Sequence, residues 1–504
     1  MKQLVRLMLA LLVMPMSAMA NLSVLTYHNV VADPSQDSFA VSKARFVEHM
    51  DYLEKNGYRV LSLKDVRAHM RDKREFPHKA ILLTFDDGLT SYAKFVVPVL
   101  RSYAFPSVTS VVTGWLDGKE VPKEYTGKLM SWKQLKEVAK QPLVEVISHS
   151  NNLHHGIRSN PQGNEAAAAV TRQYFPENSS YESEARYRER VSADLQQSVS
   201  RIQAELGVAP LGIAWPYGEY DQILSREADL LGMDLQFNLE IGDNKVTGLP
   251  KVKRIMLVGN PTVADLANEL SYHYGDRGQR GLVYLDLHDF AGLDQEQSER
   301  LLGRLLDVLQ AAKIKSVVIN PIDRESGKAF FYTQAMPMEA DVLNRITHQI
   351  INRIGIREVI IDMPAIAEKH AAYKQVYEDL ARLVRFTGIV LRENSNGAND
   401  LLFKLLRDFR PTLKHGYPSQ QFADAPGSFV MEFATSGKTQ KDMNRFADRV
   451  NNMAANVYLV YKLQDGESKV ADSIEKLHML GISRVGVGAG VNAYIEYQKQ
   501  HLKT

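Results

Sequence analysis

No cysteine occurs anywhere in the chain, so disulfides, thiol catalysis, cysteine-ligated metal and lipid attachment through an N-terminal cysteine are all excluded. Charge of one sign is not in excess either. The formal net charge is +2 over 504 residues, which provides no strong field to draw nucleic acid or an anionic membrane surface. Long apolar runs are missing too: Leu7 to Val13 falls well short of the roughly 20 residues a bilayer crossing requires, and no later stretch spans a membrane. That first run follows Lys2 and Arg6 and precedes Ser17-Ala18-Met19-Ala20, small residues at both recognition positions of a signal-peptidase site, so residues 1–20 read as a cleaved secretory signal. A secreted chain of this size without disulfides suits a Gram-negative periplasm better than a eukaryotic extracellular space. The expected location is periplasmic and soluble, without a lipid anchor.

What is present describes a globular protein: 45% apolar and 24% charged residues, with modest glycine and proline. The length exceeds what one compact core ordinarily holds, so two domains are expected. From Leu22 onward, short β-rich runs alternate with helical stretches, the pattern of α/β units wound around a mostly parallel sheet or barrel. Leu22 to Tyr27 reads as the first strand. Ser42 reads as the N-cap of a helix ending near Gly57, Tyr58 to Leu61 as a strand, Leu63 to Met70 as a helix, and Ala80 to Thr84 as an apolar strand running into Phe85-Asp86-Asp87-Gly88. Further strands are expected at Ser107 to Thr113, Val144 to Ser148 and Leu211 to Trp215, and an amphipathic helix at Ser192 to Leu206. The long polar stretch from His155 to Arg190 exceeds an ordinary connection and reads either as a lid or substrate wall or as a surface insertion. A second βα alternation begins near residue 275, with strands at Leu282 to Leu287, Ser316 to Asn320, Val359 to Asp362, Gly388 to Leu391, Ser428 to Phe433, Val457 to Val460 and Arg484 to Val487, and suggests a (β/α) barrel.

Two adjacent aspartates at the end of a buried strand are the first chemical signal. Alternating side-chain directions send Asp86 and Asp87 to different sides of a small site, so that one can bind a cation while the other handles a proton. His149, just after the strand Val144 to Ser148, is followed by Ser150-Asn151-Asn152-Leu153 and then His154-His155. Two histidines five apart on such a turn, with one carboxylate, form a donor set that leaves positions open for water and substrate.

Thr84-Phe85-Asp86-Asp87-Gly88, Ser148-His149-Ser150-x-x-Leu153-His154 and Trp215-Pro216-Tyr217-Gly218 occur in the order seen in the NodB-type polysaccharide deacetylases, carbohydrate esterase family 4, which this chain resembles. Leu25-Thr26-Tyr27-His28-Asn29-Val30, His155-Gly156-Ile157 through Gly163-Asn164, and Glu219-Tyr220 after the third motif are similar to the PgaB/HmsF-like branch, the poly-β-1,6-N-acetylglucosamine N-deacetylases of biofilm exopolysaccharide export. The resemblance implies a distorted (β/α) barrel of the NodB deacetylase type over residues 21–275, followed by a glycoside hydrolase-like (β/α) barrel over 276–504. It implies one divalent metal ion, zinc, nickel, cobalt or iron, on Asp87, His149 and His154, with Asp86 as general base. Tyr217 would supply a backbone N–H to the oxyanion, and Trp215, Pro216 and Gly218 would touch substrate. His28 would be the general acid. His155 is the alternative ligand to His154, although the position of Leu153 favours His154. Where the wider family often has arginine, this chain has Ala214, and Arg254 is expected to orient Asp86 instead.

In the second barrel the chain departs from the resembled branch. Only part of an Asp-rich strand end survives in Tyr284-Leu285-Asp286-Leu287-His288-Asp289, and Arg392-Glu393-Asn394 stands where another acidic segment is expected. Glycosidic hydrolysis needs two suitably spaced carboxyl groups. Asp286 and Glu393 are the candidate pair or, in a decayed site, glycan-binding residues, with Asp362 and Tyr284 lining the groove. Three functions stand: N-deacetylase, glycosidase, and catalytically silent glycan-binding export factor. The implied partners are an N-acetylglucosamine polysaccharide and an outer-membrane export porin, with a monomeric chain and no nucleic acid. Chitin oligomers and peptidoglycan remain alternative substrates.

Overall fold

The computed structural model describes residues 21–240, 242–271, 281–312, 314–356, 358–364, 373–392, 396–418, 429–434, 441, 443–445, 448, 456–463, 467–479 and 485–501. The expected signal segment and Glu393 lie outside these residues. Two compact units are present, the first built from 21–154, 190–219 and 225–271, the second from 155–189, 220–224 and the described residues from 281 onward. Both are α/β. Among the described residues no helix is long and apolar enough to cross a membrane.

In the first unit, Leu22–Tyr27 and Ala80–Phe85 are buried at every position, as parallel strands covered on both faces must be. They pair in register from Leu22↔Ala80 to Tyr27↔Phe85. Around them lies a nine-stranded sheet in the order Lys251–Val252, Leu235–Phe237, Gly212–Ala214, Val144–Ser148, Ser107–Val111, Ala80–Phe85, Leu22–Tyr27, Ile255–Met256, with Arg59–Val60 also paired to Ala80–Phe85. The two outermost strands are consecutive in the chain, with only Lys253 and Arg254 between them. The sheet therefore curls round into a barrel-like form whose seam carries Arg254. Alternation divides the core: Leu25, Tyr27, Ile81, Leu83 and Phe85 pack with Phe46, Met50 and Leu53 of the helix Lys43–Lys55, whereas Leu22, Val24, Ala80 and Leu82 pack with Val108, Ile147, Ala214 and Phe237.

Ser42 caps its helix by accepting from the Arg45 N–H, and the helix stops before Gly57 with its φ of 70°. Two elements differ from the sequence reading. Thr113 opens the short helix Thr113–Leu116 instead of ending a strand, because the Thr113 and Gly114 N–H groups donate to the carbonyls of Ser150 and Asn151 at 3.1 and 2.9 Å. The long helix spans Glu184–Leu206, starting well before Ser192.

The stretch after His154 is not an irregular loop. Gly156–Arg158 pairs antiparallel with Glu165–Ala167, and Tyr174–Phe175 with Ser180–Tyr181. It belongs to the second unit, held there by Asn160 donating to Asn344 Oδ1 at 3.1 Å, Gln162 to the Asp341 carbonyl at 2.8 Å and the Tyr181 hydroxyl to Asp341 Oδ2 at 2.8 Å. A single cut near residue 275 therefore does not describe the division of the chain.

Eight parallel strands close a barrel in the second unit: Leu282–Asp286, Ser316–Asn320, Glu358–Met363, Gly388–Leu391, Lys414–Pro418, Phe429–Ala434, Asn456–Lys462 and Val485–Gly490. Inside it pack Leu282, Tyr284, Val318, Ile360, Val390, Phe429, Met431, Tyr458 and Val460. Lys414–Pro418 was not legible as a strand, since Gly416 and Pro418 are strand-poor residues. Its glycine has a packing reason: a Cβ at Gly416 would lie 2.3 Å from the Phe429 ring and 2.6 Å from Val390. Gly416→Ala is expected to destabilise the protein by about 1–3 kcal/mol through overpacking, measured by thermal unfolding, and Phe429→Leu in the same chain should recover part of the loss.

Candidate active site

Strand alternation places Asp86 on the same side as Leu82 and Thr84, and its N–H still bonds the Tyr27 carbonyl at 3.0 Å. Asp87 then turns left-handed, at φ 73°, followed by Gly88 at 69°. The separation of the two carboxylates thus comes from the turn as well as from alternation. Both are buried.

Asp86 is held by cation and hydroxyl. Arg254 Nη1 donates to both Asp86 oxygens at 2.8 Å, Ser110 Oγ donates to Oδ1 at 2.7 Å, and Arg254 Nε is itself anchored on the Asn238 carbonyl at 3.2 Å. Burial by itself would raise this carboxyl, but Arg254, with the nearby His149 and His28, outweighs it and holds Asp86 at about 2. Asp86 is therefore an anion with its orientation fixed from two sides.

Asp87 is arranged differently. Tyr125 donates to its Oδ2 at 2.8 Å, whereas the buried Oδ1 has no hydrogen-bond partner. That oxygen faces His149 Nε2 at 3.5 Å and His154 Nε2 at 3.7 Å. His149 donates from Nδ1 to the Ala214 carbonyl at 2.6 Å, which leaves Nε2 as the atom presented to Asp87. Burial opposes ionisation of Asp87, yet the adjacent His149, with the charges of His28 and His154, holds it below the usual carboxylate range. Burial presses His154 down to about 4, with His149 acting in the same direction. One oxygen and two imidazole nitrogens converge within 4.8 Å. An orphaned buried carboxylate oxygen between two imidazoles fits a divalent cation by its donor chemistry. His154, not His155, completes this group; His155 belongs to the second unit.

The loop bearing the histidines is pinned from beneath. Asp194, on the helix Glu184–Leu206, accepts from the N–H groups of Asn151 and Asn152 at 2.9 and 2.6 Å. Burial pushes its carboxyl up to about 6 despite those two donors. Ser148 Oγ accepts from the Ser150 N–H at 3.0 Å and bonds Ser198 Oγ at 2.8 Å. Ser150 has a φ of 73°, a backbone conformation that costs about 1–3 kcal/mol where tertiary contacts do not enforce it.

Pro216–Gly218 forms a tight turn in which Tyr217 has φ 56° and Gly218 φ 73°. A Cβ at Gly218 would meet the Leu239 N at 2.7 Å, so only glycine fits. Tyr217 is 48% exposed and its ring lies 4.6 Å from that of His154. Trp215 and Pro216, expected to touch substrate, are buried. His28 is half-buried, 5.3 Å ring to ring from the exposed Phe39, and its Nδ1 has no hydrogen-bond partner. It lies close enough for its charge to bear on both aspartates. Tyr125 and Asp194 escaped the sequence reading because neither sits in a recognisable motif.

Residues 73–235 match the family model described as polysaccharide deacetylase. This segment is a polysaccharide deacetylase domain. It contains Asp86, Asp87, Tyr125, His149, His154 and Tyr217, while His28 and Arg254 reach the site of the deacetylase domain from either side of the matched segment. A relative from Escherichia coli (strain K12), named poly-beta-1,6-N-acetyl-D-glucosamine N-deacetylase, is 30% identical over 348 residues, 66% of this chain and 51% of the relative. The chain thus spans about half the length of the first curated relatives it matches. A solved de-N-acetylase from Aggregatibacter actinomycetemcomitans is 31% identical, covering 49% of this chain and 99% of its own, with a TM-score of 0.46. For the BpsB deacetylase domain from Bordetella bronchiseptica the figures are 33%, 46%, 94% and 0.42.

In the barrel of the second unit, Asp286 meets Arg324 Nε at 2.9 Å and Asn320 Nδ2 at 3.3 Å. Asp362 accepts from the Tyr284 hydroxyl at 2.8 Å and from Arg392 Nε at 2.5 Å. Both acids are thus paired with arginine.

Two outcomes are expected. Asp86 is held below its ordinary 3.8, so its pairing stabilises the fold fully above that value, and the contribution is lost as pH falls toward 2. Arg254→Met should cost about 3–5 kcal/mol at neutral pH, and the gap in melting temperature from wild type should narrow on acidification from pH 7 to pH 3. Asp194→Ala should weaken zinc binding by about 10-fold or more, as loss of support behind metal ligands does, measured by competition with a chromophoric chelator.

Proposed function

We propose that this chain is a metal-dependent N-deacetylase that removes acetyl groups from a β-linked N-acetylglucosamine exopolysaccharide, acting in the periplasm on polymer bound for an outer-membrane export porin. The observation that carries the reading is the orphaned Asp87 Oδ1 facing two histidine nitrogens beside an independently held Asp86 anion. The name of the Escherichia coli relative supports poly-β-1,6-N-acetylglucosamine as the substrate.

Asp87, His149 and His154 would hold the cation, and their mixed nitrogen and oxygen set suits zinc, nickel, cobalt or iron. When bound, it supplies Lewis acidity toward an amide carbonyl and toward water. Asp86, kept anionic by Arg254, accepts a proton from the attacking water. His28, with its Nδ1 uncommitted, gives a proton to the departing glucosamine nitrogen, so that amide and water become acetate and amine. The Tyr217 ring packs on that of His154 at 4.6 Å, and its backbone N–H would favour developing oxyanion charge.

For the second barrel, the arginine pairing of Asp286 and Asp362 favours a glycan-holding role over cutting. Glycosidic cleavage needs two suitably spaced carboxyl groups turned to the substrate, and here each carboxylate is already engaged by a guanidinium.

Acetate release from β-1,6- and β-1,4-linked N-acetylglucosamine oligomers, with and without chelator, tests the reading. Release from the β-1,6 series is expected, abolished by chelator and restored by zinc, cobalt or nickel. Asp86→Asn and His28→Ala should each lower turnover on the order of 10²–10⁴-fold while leaving bound metal at the wild-type level. No acetate from either series by the metal-loaded protein would leave a glycan-binding export factor, release from the β-1,4 series alone would point to chitin or peptidoglycan, and shortened oligomers would reveal a glycosidase.

A further inference from the structure

Tyr125 is held in place by more than its hydroxyl. It ends the short 3-10 turn Lys123–Tyr125, and the chain that follows is tied back to the residues after Asp87. Thr90 donates from both its N–H and its hydroxyl to the Lys128 carbonyl at 2.7 Å, Met130 N–H donates to the Gly88 carbonyl at 2.9 Å, and Leu89 bridges Leu129 antiparallel. The Tyr125 ring lies 5.0 Å from that of Trp115, and Trp115 in turn meets the His154 ring edge-on at 5.0 Å. One aromatic wall therefore backs a candidate ligand histidine, and its outermost member bonds the candidate ligand carboxylate.

A carboxylate offers two oxygens to a cation, and with both free it can take two positions around the ion instead of one. Here the two oxygens of Asp87 are unequal: Oδ2 accepts from Tyr125 at 2.8 Å, and Oδ1 alone is turned toward His149 and His154 without a hydrogen-bond partner. Resting on the metal-centre reading above, we propose that Tyr125 is a positioning residue that confines Asp87 to single-oxygen ligation, so that an extra coordination position stays open for water and the acetamide. Catalytic turnover then depends on a hydroxyl that touches neither substrate nor ion.

Tyr125→Phe keeps the ring against Trp115 and removes only the donor, and its melting temperature checks the fold. Cobalt(II) and zinc are the probes. In the variant Asp87 is expected to bind with both oxygens, raising the coordination number. The visible absorption per bound cobalt should therefore weaken and shift relative to wild type, because coordination geometry is diagnostic of the ligand set. Turnover in acetate release should fall about 10–100-fold, the range for residues that orient metal ligands, with the zinc dissociation constant changing less than turnover. A cobalt spectrum identical to wild type overturns the proposal, even if metal affinity and melting temperature both fall, since that pattern belongs to a merely structural tyrosine. If wild-type protein takes up neither cobalt nor zinc, the metal-centre reading itself falls, and this outcome is distinct from a wild-type centre that binds normally and is indifferent to Tyr125.

Discussion

Burying two adjacent carboxylates at the end of one strand is the constraint around which the first unit is organised. Neither Asp86 nor Asp87 retains appreciable exposure, and an unpaired buried charge is costly enough that each must find its own partners. Asp86 finds a guanidinium 168 residues away in sequence. That partner is reachable because the parallel sheet curls until its two outermost strands are separated only by Lys253 and Arg254. Asp87 receives a tyrosine on one oxygen and two imidazoles opposite the other. The same burial that demands these partners also differentiates them: one carboxylate is held by a fixed cation and a hydroxyl, and its neighbour is left with one oxygen that has no hydrogen-bond partner.

Left-handed backbone marks all three segments that meet there. Asp87, Ser150 and Tyr217 have φ of 73°, 73° and 56°, a conformation that non-glycine residues adopt infrequently. Such geometry persists when the surroundings over-determine it, and the hydrogen bonds do so. Asp194 and Ser148 hold the backbone around Ser150, the Thr113 and Gly114 N–H groups take up its carbonyls, and Gly218 lets the Tyr217 turn press against Leu239. The half-buried Asp194 carboxyl illustrates the exchange: its own ionisation is opposed by its surroundings, while the loop it ties down carries His149 and His154.

The second barrel applies the same elements to another end. Its acids at the strand ends, Asp286 and Asp362, already carry Arg324 and Arg392, and Phe429 occupies the space that side chains at Gly388 and Gly416 would need. In charge terms it contrasts with the deacetylase domain, where Asp87 Oδ1 is without a partner. That difference in pairing, more than the fold, separates a group of side chains that could hold a cation from two acids already engaged by arginine.

Local spacing was enough to read much of this. Apolar runs of strand length, Ser42 ahead of its helix, and the acids and histidines that follow Ala80–Phe85 and Val144–Ser148 are features of a few consecutive residues, so Asp86, Asp87, His149 and His154 were visible without a structure. The resemblance supplied His28 and Arg254, which no spacing argument would pair with them. What could not be read were contacts between distant segments. Lys414–Pro418 is a strand because Phe429 fills its missing side chain, Thr113 turns helical because carbonyls of the histidine loop accept its first N–H groups, and Tyr125 and Asp194 act through partners 38 and 42–43 residues away. Composition and periodicity report on each segment's own preference for strand, helix or turn. Which buried carboxylate oxygen is satisfied, and by whom, depends on how the sheet closes, and that is decided only when the whole unit packs.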